Sequence, residues 1–229
     1  MRHLPGETCP EPGALHGRPL ASVGFVRTAD IRARRVLAVG CGVGWFERWA
    51  LAHGAAVAVG CDLGGASLAV ARRDVTGAGF ARADGLALPF PARAFDAVAC
   101  WEVVEHVPSG AEPALLAEVR RVLRPGGVCY LSTPNAHPVA TALDPAWWLA
   151  GHRHYRAARL VALARAAGFS VERRRAVGRC WWLLALLDLY CCKWLLRRPP
   201  LAGAWLARRE DAEAARPGYA NLFLRLVAA

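Results

Sequence analysis

The sequence predicts an α/β protein: a doubly wound, mostly parallel sheet of seven strands whose last strand runs antiparallel. Three observations predict it. From Arg35 onward, short apolar runs alternate with amphipathic segments, the signature of a parallel sheet wrapped by helices. The first apolar run, Val36–Val39, breaks into Gly40, Gly42 and Gly44 before an amphipathic stretch, Phe46–Ala56. Such a strand, glycine turn and helix open nucleotide-type sites, because glycine lets a ligand approach the backbone and the helix N-terminus points N–H groups at it. The last two apolar runs, Phe169–Val177 and Ala220–Ala228, read as a hairpin.

A chain of 229 residues, 55% hydrophobic and 21% charged, fits one globular domain with a sizeable core. The formal net charge is +11, carried by arginines and the single Lys193, and is compatible with an anionic partner: nucleic acid, a phospholipid surface or an acidic substrate. The eight cysteines form no C-x-x-C pair, and Cys41, Cys61 and Cys100 end apolar runs as small hydrophobes. A reducing compartment is expected. The start, M-R-H-L-P-G-E-T-C-P, has no apolar signal-peptide core, so a cytoplasmic location is expected.

Residues 1–30, rich in Pro and Gly, are read as an irregular cap on a domain spanning 31–229. Ala55–Cys61 is the second strand and ends at Asp62; Gly65–Asp74 is its helix. Phe80–Arg82 and Phe95–Trp101 are the third and fourth strands, with a helix expected near Glu102–Val107. Ala111–Leu123 places Leu115, Leu116, Val119 and Val122 on one helical face and stops at Arg124-Pro125-Gly126-Gly127. Val128–Ser132 is the fifth strand, Arg156–Ala167 a helix, and Phe169–Val177 the sixth strand.

An apolar helical insertion at about 178–218 separates the last two strands. Its core, Cys180–Leu196, carries Asp188 and Lys193 and falls short of the ~20 apolar residues of a membrane span. Two readings stay open: a helix packed on the sheet or in a dimer interface, or an interfacial helix and lid over a lipophilic substrate. The second gives 180–198 peripheral contact with the inner face of the membrane, with tryptophans and Arg197-Arg198 at head-group level.

The glycine spacing decides between nucleotide sites. A dinucleotide fingerprint needs glycine at the sixth position, which here is Trp45. Gly40-Cys41-Gly42-Val43-Gly44 is instead the G-x-G-x-G of class I S-adenosylmethionine (AdoMet)-dependent methyltransferases. Asp62, 22 residues after Gly40, ends the second strand, where a carboxylate can accept both ribose hydroxyl protons. Asp84-Gly85 ends the third strand, Phe95-Asp96-Ala97-Val98 matches the fourth-strand motif, and Leu123-Arg124-Pro125-Gly126-Gly127 matches L-x-P-G-G. Five motifs in order, from Val36 to about Thr133, resemble this family and its Rossmann-like sheet.

The resemblance implies AdoMet as cofactor, held by Gly40, Cys41, Gly42, Gly44, Asp62, Leu63, Asp84, Gly85 and Trp101, with Asp84 on the adenine amino group. One departure is Ala38, where the family usually carries an acidic residue that helps hold the methionine end. Glu102-Val103-Val104-Glu105-His106 follows the fourth strand; on a helix its i, i+3 and i+4 side chains share one face. Such oxygens and one nitrogen suit Mg²⁺ or Mn²⁺, and the motif is similar to that of ubiquinone-biosynthesis O-methyltransferases and small-RNA 2′-O-methyltransferases. Glu102, Glu105 and His106 are therefore candidate metal ligands, against a reading with no metal in which His106 caps the site. His106, His154 and Glu102 are candidates for activating the acceptor, with His152 as an alternative to His154 for the base.

The expected function is methylation of a small, lipophilic acceptor, at oxygen. An RNA 2′-O-methyltransferase is the first rival, but the apolar insertion is unlike a basic-aromatic RNA surface, and nucleic acid is not the expected partner. A non-catalytic partner subunit of the same fold, which Ala38 permits, is the second.

Overall fold

The computed structural model describes residues 8–196 and 203–229. Seven strands form one sheet: β1 (Arg35–Val39), β2 (Val57–Asp62), β3 (Gly79–Arg82), β4 (Phe95–Trp101), β5 (Leu123–Pro134), β6 (Phe169–Val177) and β7 (Asn221–Ala228). Their order is β3-β2-β1-β4-β5-β7-β6, and β7 alone runs antiparallel, against both β5 and β6. The doubly wound sheet and the closing hairpin are as the sequence predicts.

Nine α-helices are described: α1 (Gly17–Phe25), α2 (Trp45–Ala52), α3 (Gly65–Asp74), α4 (Glu112–Val122), α5 (Pro138–Leu143), α6 (Pro145–Ala150), α7 (Ala157–Ala166), α8 (Cys180–Tyr190) and α9 (Gly203–Ala214). β1 shows why both sheet faces are covered. Side chains alternate along a strand, so Val36 and Ala38 join one core with Phe46 and Trp49, while Leu37 and Val39 join another with Leu115 and Val119. Each fully buried aliphatic side chain in those layers contributes about 1.5–3 kcal/mol.

Three local expectations change. The cap is not irregular throughout, because Gly17–Phe25 forms α1, which buries Ala21 and Phe25. It is pinned to the sheet: Tyr130 Oη accepts from Arg27 N at 2.9 Å, and Asp30 takes Arg225 bidentately at 2.8 and 3.0 Å. Second, residues 102–107 form a turn, not a helix, and Glu102 sits at φ +55°. Third, Leu123–Gly127 belongs to the start of β5, and its pairing with β4 shifts register between Phe95 and Ala97. Gly126 there takes φ +72°.

Between β6 and β7 the chain runs through α8, a π-helical turn (Cys191–Leu196) and α9. Glu213 of α9 caps α8, accepting from the backbone N–H of Arg179 (2.8 Å), Trp181 (3.2 Å) and Trp182 (3.1 Å). Asp211 of α9 holds the start of α1, accepting from Gly17 N and bonding His16 Nδ1, both at 2.7 Å. α1, α8 and α9 thus form one lobe at the carboxyl edge of the sheet. No helix among the described residues is long and apolar enough to cross a membrane. Arg197 and Arg198 lie outside the described residues.

Candidate functional site

The first half of the site lies at the carboxyl ends of β1, β2 and β3. Gly40, Gly42 and Gly44 all take positive φ (70°, 54° and 85°), which only glycine adopts without strain. Gly40 N and Cys41 N both donate to the Cys61 carbonyl, at 2.8 and 3.0 Å. Asp62 then ties two loops together: Oδ2 accepts from Gly42 N at 2.9 Å and Oδ1 from Gly64 N at 2.7 Å. Each carboxylate oxygen keeps a lone pair for a hydroxyl.

Asp84 Oδ1 accepts from Leu86 N at 2.9 Å. A Cβ on Gly85 would come within 3.0 Å of Leu115 Cδ1 and 3.1 Å of Val39 Cγ1, so the backbone packs tightly there. Leu63 stands exposed beside Asp62. Trp101 does not open onto the loop. Its ring packs on Phe46 at 5.7 Å and Tyr130 at 6.0 Å in the aromatic core, and its Nε1 is buried without a partner.

The second half lies at the ends of β4, β5 and β7. Glu102 is held in its strained conformation from three sides. Oε1 accepts from Ser132 Oγ at 2.5 Å and Asn221 Nδ2 at 2.7 Å, and Oε2 faces Arg18 of α1 at 3.3 Å. A strained residue so firmly fixed is characteristic of sites. Glu105 turns inward instead, where Thr133 Oγ1 donates to it at 3.0 Å and burial pushes its carboxyl well above the usual range. The His106 ring meets His152 edge-to-face at 4.4 Å.

Glu102, Glu105 and His106 are therefore not a metal triad. The turn that replaces the expected helix sends the three side chains to Ser132, Thr133 and His152 respectively. Among the described residues no group of three His, Cys, Asp or Glu side chains could hold a metal ion. The donors do not fit Mg²⁺, and no step is derived through it.

His154 is also not placed as a base. Its Nε2 bonds Asp144 Oδ2 at 2.8 Å, its Nδ1 lies 3.1 Å from both Thr141 Oγ1 and the Asn135 carbonyl, and it is buried. Both nitrogens are committed to joining the 135–144 segment to the start of α7. His152 is the imidazole that lines both openings of the site. It borders a small pocket of about 10 Å³ shared with Glu102, Arg18, Tyr190 and His154 and roofed by Trp182, Leu183 and Leu186 of α8. It also borders a more open cleft of about 280 Å³ with His106 and Arg153. Burial, helped by His106, lowers the His152 pKa to about 4; burial lowers that of His106 as well. His152 is thus neutral at pH 7.

Arg18 lies in what reads as an irregular cap, and Asn221 is the first residue of an ordinary strand; no motif marks either.

A chain with this sheet order and this loop can be compared with known proteins. Residues 37–131 match the family model described as "Methyltransferase domain". Over those residues the chain is similar to a methyltransferase domain. The chain is 37% identical over 118 residues to the ubiquinone biosynthesis O-methyltransferase of Pseudomonas aeruginosa (strain LESB58), covering 49% of each protein. It is 36% identical over 117 residues to that of Neisseria meningitidis serogroup C (strain 053442), covering 48% of each. The chain thus spans about half the length of the curated relatives it matches.

Solved structures show the same fold along nearly the whole chain. An S-adenosylmethionine-dependent methyltransferase from Mesorhizobium loti superposes with a TM-score of 0.61 at 23% identity, over 90% of this chain and 95% of that one. The [4+2]-cyclase SpnF superposes with 0.66 at 21% identity, over 97% and 88%. Proteins of different activity thus share this fold, and function must be argued from the site.

Proposed function

We propose that this methyltransferase domain transfers a methyl group from AdoMet to an oxygen of a small, lipophilic acceptor. The observation that carries the reading is the junction of two half-sites. The glycine loop stapled by Asp62 packs at Gly40 against Val103, the neighbour of Glu102, and Glu102 lines with His152 a pocket that α8 roofs with apolar side chains.

The residues present fit AdoMet. The glycine cradle accepts backbone approach, Asp62 has lone pairs for the ribose hydroxyls, and Asp84 with the Gly85 N–H suits an adenine edge. When bound, AdoMet supplies a methyl group on a sulfonium, an electrophile that needs an aligned nucleophile more than further activation. The chain's own part is to bind, orient and deprotonate. Glu102, fixed by Ser132 and Asn221, orients the acceptor hydroxyl through Oε2. His152, neutral at pH 7, takes the hydroxyl proton. Trp182, Leu183 and Leu186 keep water from the reacting oxygen.

Two further observations support a lipophilic acceptor. The relatives of known name act in ubiquinone biosynthesis. Leu184 of α8 and Val139, Leu143, Trp147 and Trp148 of α5 and α6 are exposed, and α8 packs against both α5 and α6. That apolar face is the surface proposed to meet a membrane or a membrane-borne acceptor.

The test is calorimetric titration of AdoMet followed by a radiolabelled methyl-transfer screen of catechols, quinols and RNA. Binding with transfer to a lipophilic phenol is expected. Transfer to RNA with steep salt dependence overturns the acceptor class. A folded chain that does not bind AdoMet overturns the activity.

A further inference from the structure

Glu47, in the first turn of α2, is 1% exposed, and neither of its carboxylate oxygens has a hydrogen-bond partner. Charged residues are rarely buried so completely without a partner, because desolvating an unpaired carboxylate is costly. The room it occupies is made for it. A Cβ on Gly60 of β2 would lie 2.2 Å from Glu47 Oε1 and 2.8 Å from Cys41 Cβ, so only glycine fits at that position. Gly60 is paired in register with Ala38 of β1, another small residue whose side chain joins the α2-side core. The carboxylate therefore lies directly beneath Cys41, the second residue of the glycine loop.

The groups that act on it add no positive charge. Asp62 stands at the end of β2, the Cys61 and Cys41 thiols lie between β2 and the loop, and Cys9 approaches from the N-terminal segment. Arg48, next to Glu47 in sequence, turns away to the Cys9 carbonyl and Glu11. The sheet order fixes which part of a ligand comes near. With the ribose at the end of β2 and the adenine at the end of β3, the remaining end lies over the β1 loop, above Glu47. In AdoMet that end carries an ammonium and a sulfonium beside one carboxylate, a net single positive charge.

We infer that Glu47 is the buried counter-charge for the cationic amino-acid end of the cofactor. The inference rests on the AdoMet reading above and assigns a role to a residue outside the five motifs. In the free protein, burial raises the Glu47 pKa to about 8, so the carboxyl holds its proton at pH 7. The arrival of positive charge over the loop favours the carboxylate, and the proton leaves to solvent. Cofactor binding then releases about one proton per site near pH 7.

The test is calorimetry of the whole chain and its Glu47→Gln variant, in two buffers of different ionisation enthalpy. The ligands are AdoMet and 5′-methylthioadenosine, which keeps the adenosine but lacks both cationic groups. Glutamine mimics the protonated carboxyl, so the variant should fold, and 5′-methylthioadenosine reports that its adenosine site is intact. Expected is proton release with AdoMet alone, its disappearance in Glu47→Gln, and a loss of AdoMet affinity of about tenfold or more from the missing charge, with 5′-methylthioadenosine unchanged. The inference is overturned if the variant binds AdoMet as the wild type does, if no proton is released, or if both ligands weaken equally. If the wild type binds 5′-methylthioadenosine but not AdoMet, Glu47 provides no counter-charge and the donor assignment falls too. If it binds neither, the cofactor reading itself fails, and the inference with it.

Discussion

The two halves of the cleft are made of different kinds of parts. The half proposed to hold the cofactor uses backbone: three glycines at positive φ, N–H groups of Gly42 and Gly64, and one aspartate that holds both loops. The acceptor half uses side chains from distant parts of the chain, with Arg18, Glu102, Ser132 and Asn221 meeting around one carboxylate. Backbone recognition imposes glycine and fixed spacing, whereas side-chain recognition leaves each position free to change with the acceptor. The family match stops at residue 131, and Ser132, His152, Asn221 and α8 all lie beyond it.

The largest effect expected belongs to the cofactor half. Asp62→Ala removes two charge-assisted hydrogen bonds, each worth about 1.5–3 kcal/mol, and frees both loops at once. AdoMet affinity should fall by about a hundredfold or more, measured by calorimetry. Wild-type affinity in that variant would sink the assignment of Asp62.

Next comes the acceptor half. His152→Ala should lower kcat by about a hundredfold, the low end for loss of a general base, and leave AdoMet affinity unchanged. His154→Ala should instead lower stability, since Asp144 would lose its buried partner. The contrast between the two variants separates the base from the structural histidine; equal kcat losses would refute the separation. The base must be neutral to act, and burial holds the His152 pKa near 4. The His152 limb of the kcat profile should therefore appear only as pH falls towards 4, not near the ordinary histidine value. An inflection near pH 6.5 that disappears in His152→Ala would contradict this.

How legible each half was follows from the same contrast. The seven strands, the closing hairpin and the glycine turn between β1 and α2 could be read because periodicity and glycine spacing are local signals. What failed depended on one dihedral angle. A helical turn at 102–107 would have aligned Glu102, Glu105 and His106, but Glu102 at φ +55° breaks the helix as it starts. Nothing in E-V-V-E-H announces that, because the strain is supported by Ser132 and Asn221, 30 and 119 residues away in sequence. His154 went the same way: its claim to be a base was cancelled by Asp144, whose side chain no sequence pattern linked to it.

Arg18 offers a smaller and sharper test of the boundary between the halves. It reaches Glu102 from α1, where both side chains are partly buried, and Ser132 and Asn221 hold Glu102 independently of it. Arg18→Ala should leave AdoMet affinity and thermal stability near wild type and shift the acceptor KM several-fold, with Glu102 still held by Ser132 and Asn221. A change in AdoMet affinity instead would mean that α1 belongs to the cofactor half.

The smallest effect concerns the outer face. Trp148 is 68% exposed, and its Nε1 donates to the Ala142 carbonyl at 3.1 Å, so the ring is tethered to α5 by one hydrogen bond. An exposed aromatic fixed in this way contributes little to folding, and Trp148→Ser should change stability by no more than about 0.5 kcal/mol. If the face of α5, α6 and α8 meets a lipid surface, the same change should weaken co-sedimentation with anionic vesicles several-fold, because an interfacial indole is lost. Activity on a water-soluble catechol should then be unchanged, while activity on a quinol presented in vesicles falls. Equal activity on both would place the acceptor's route elsewhere, through the cleft between His106 and His152, where no part of this apolar face takes part.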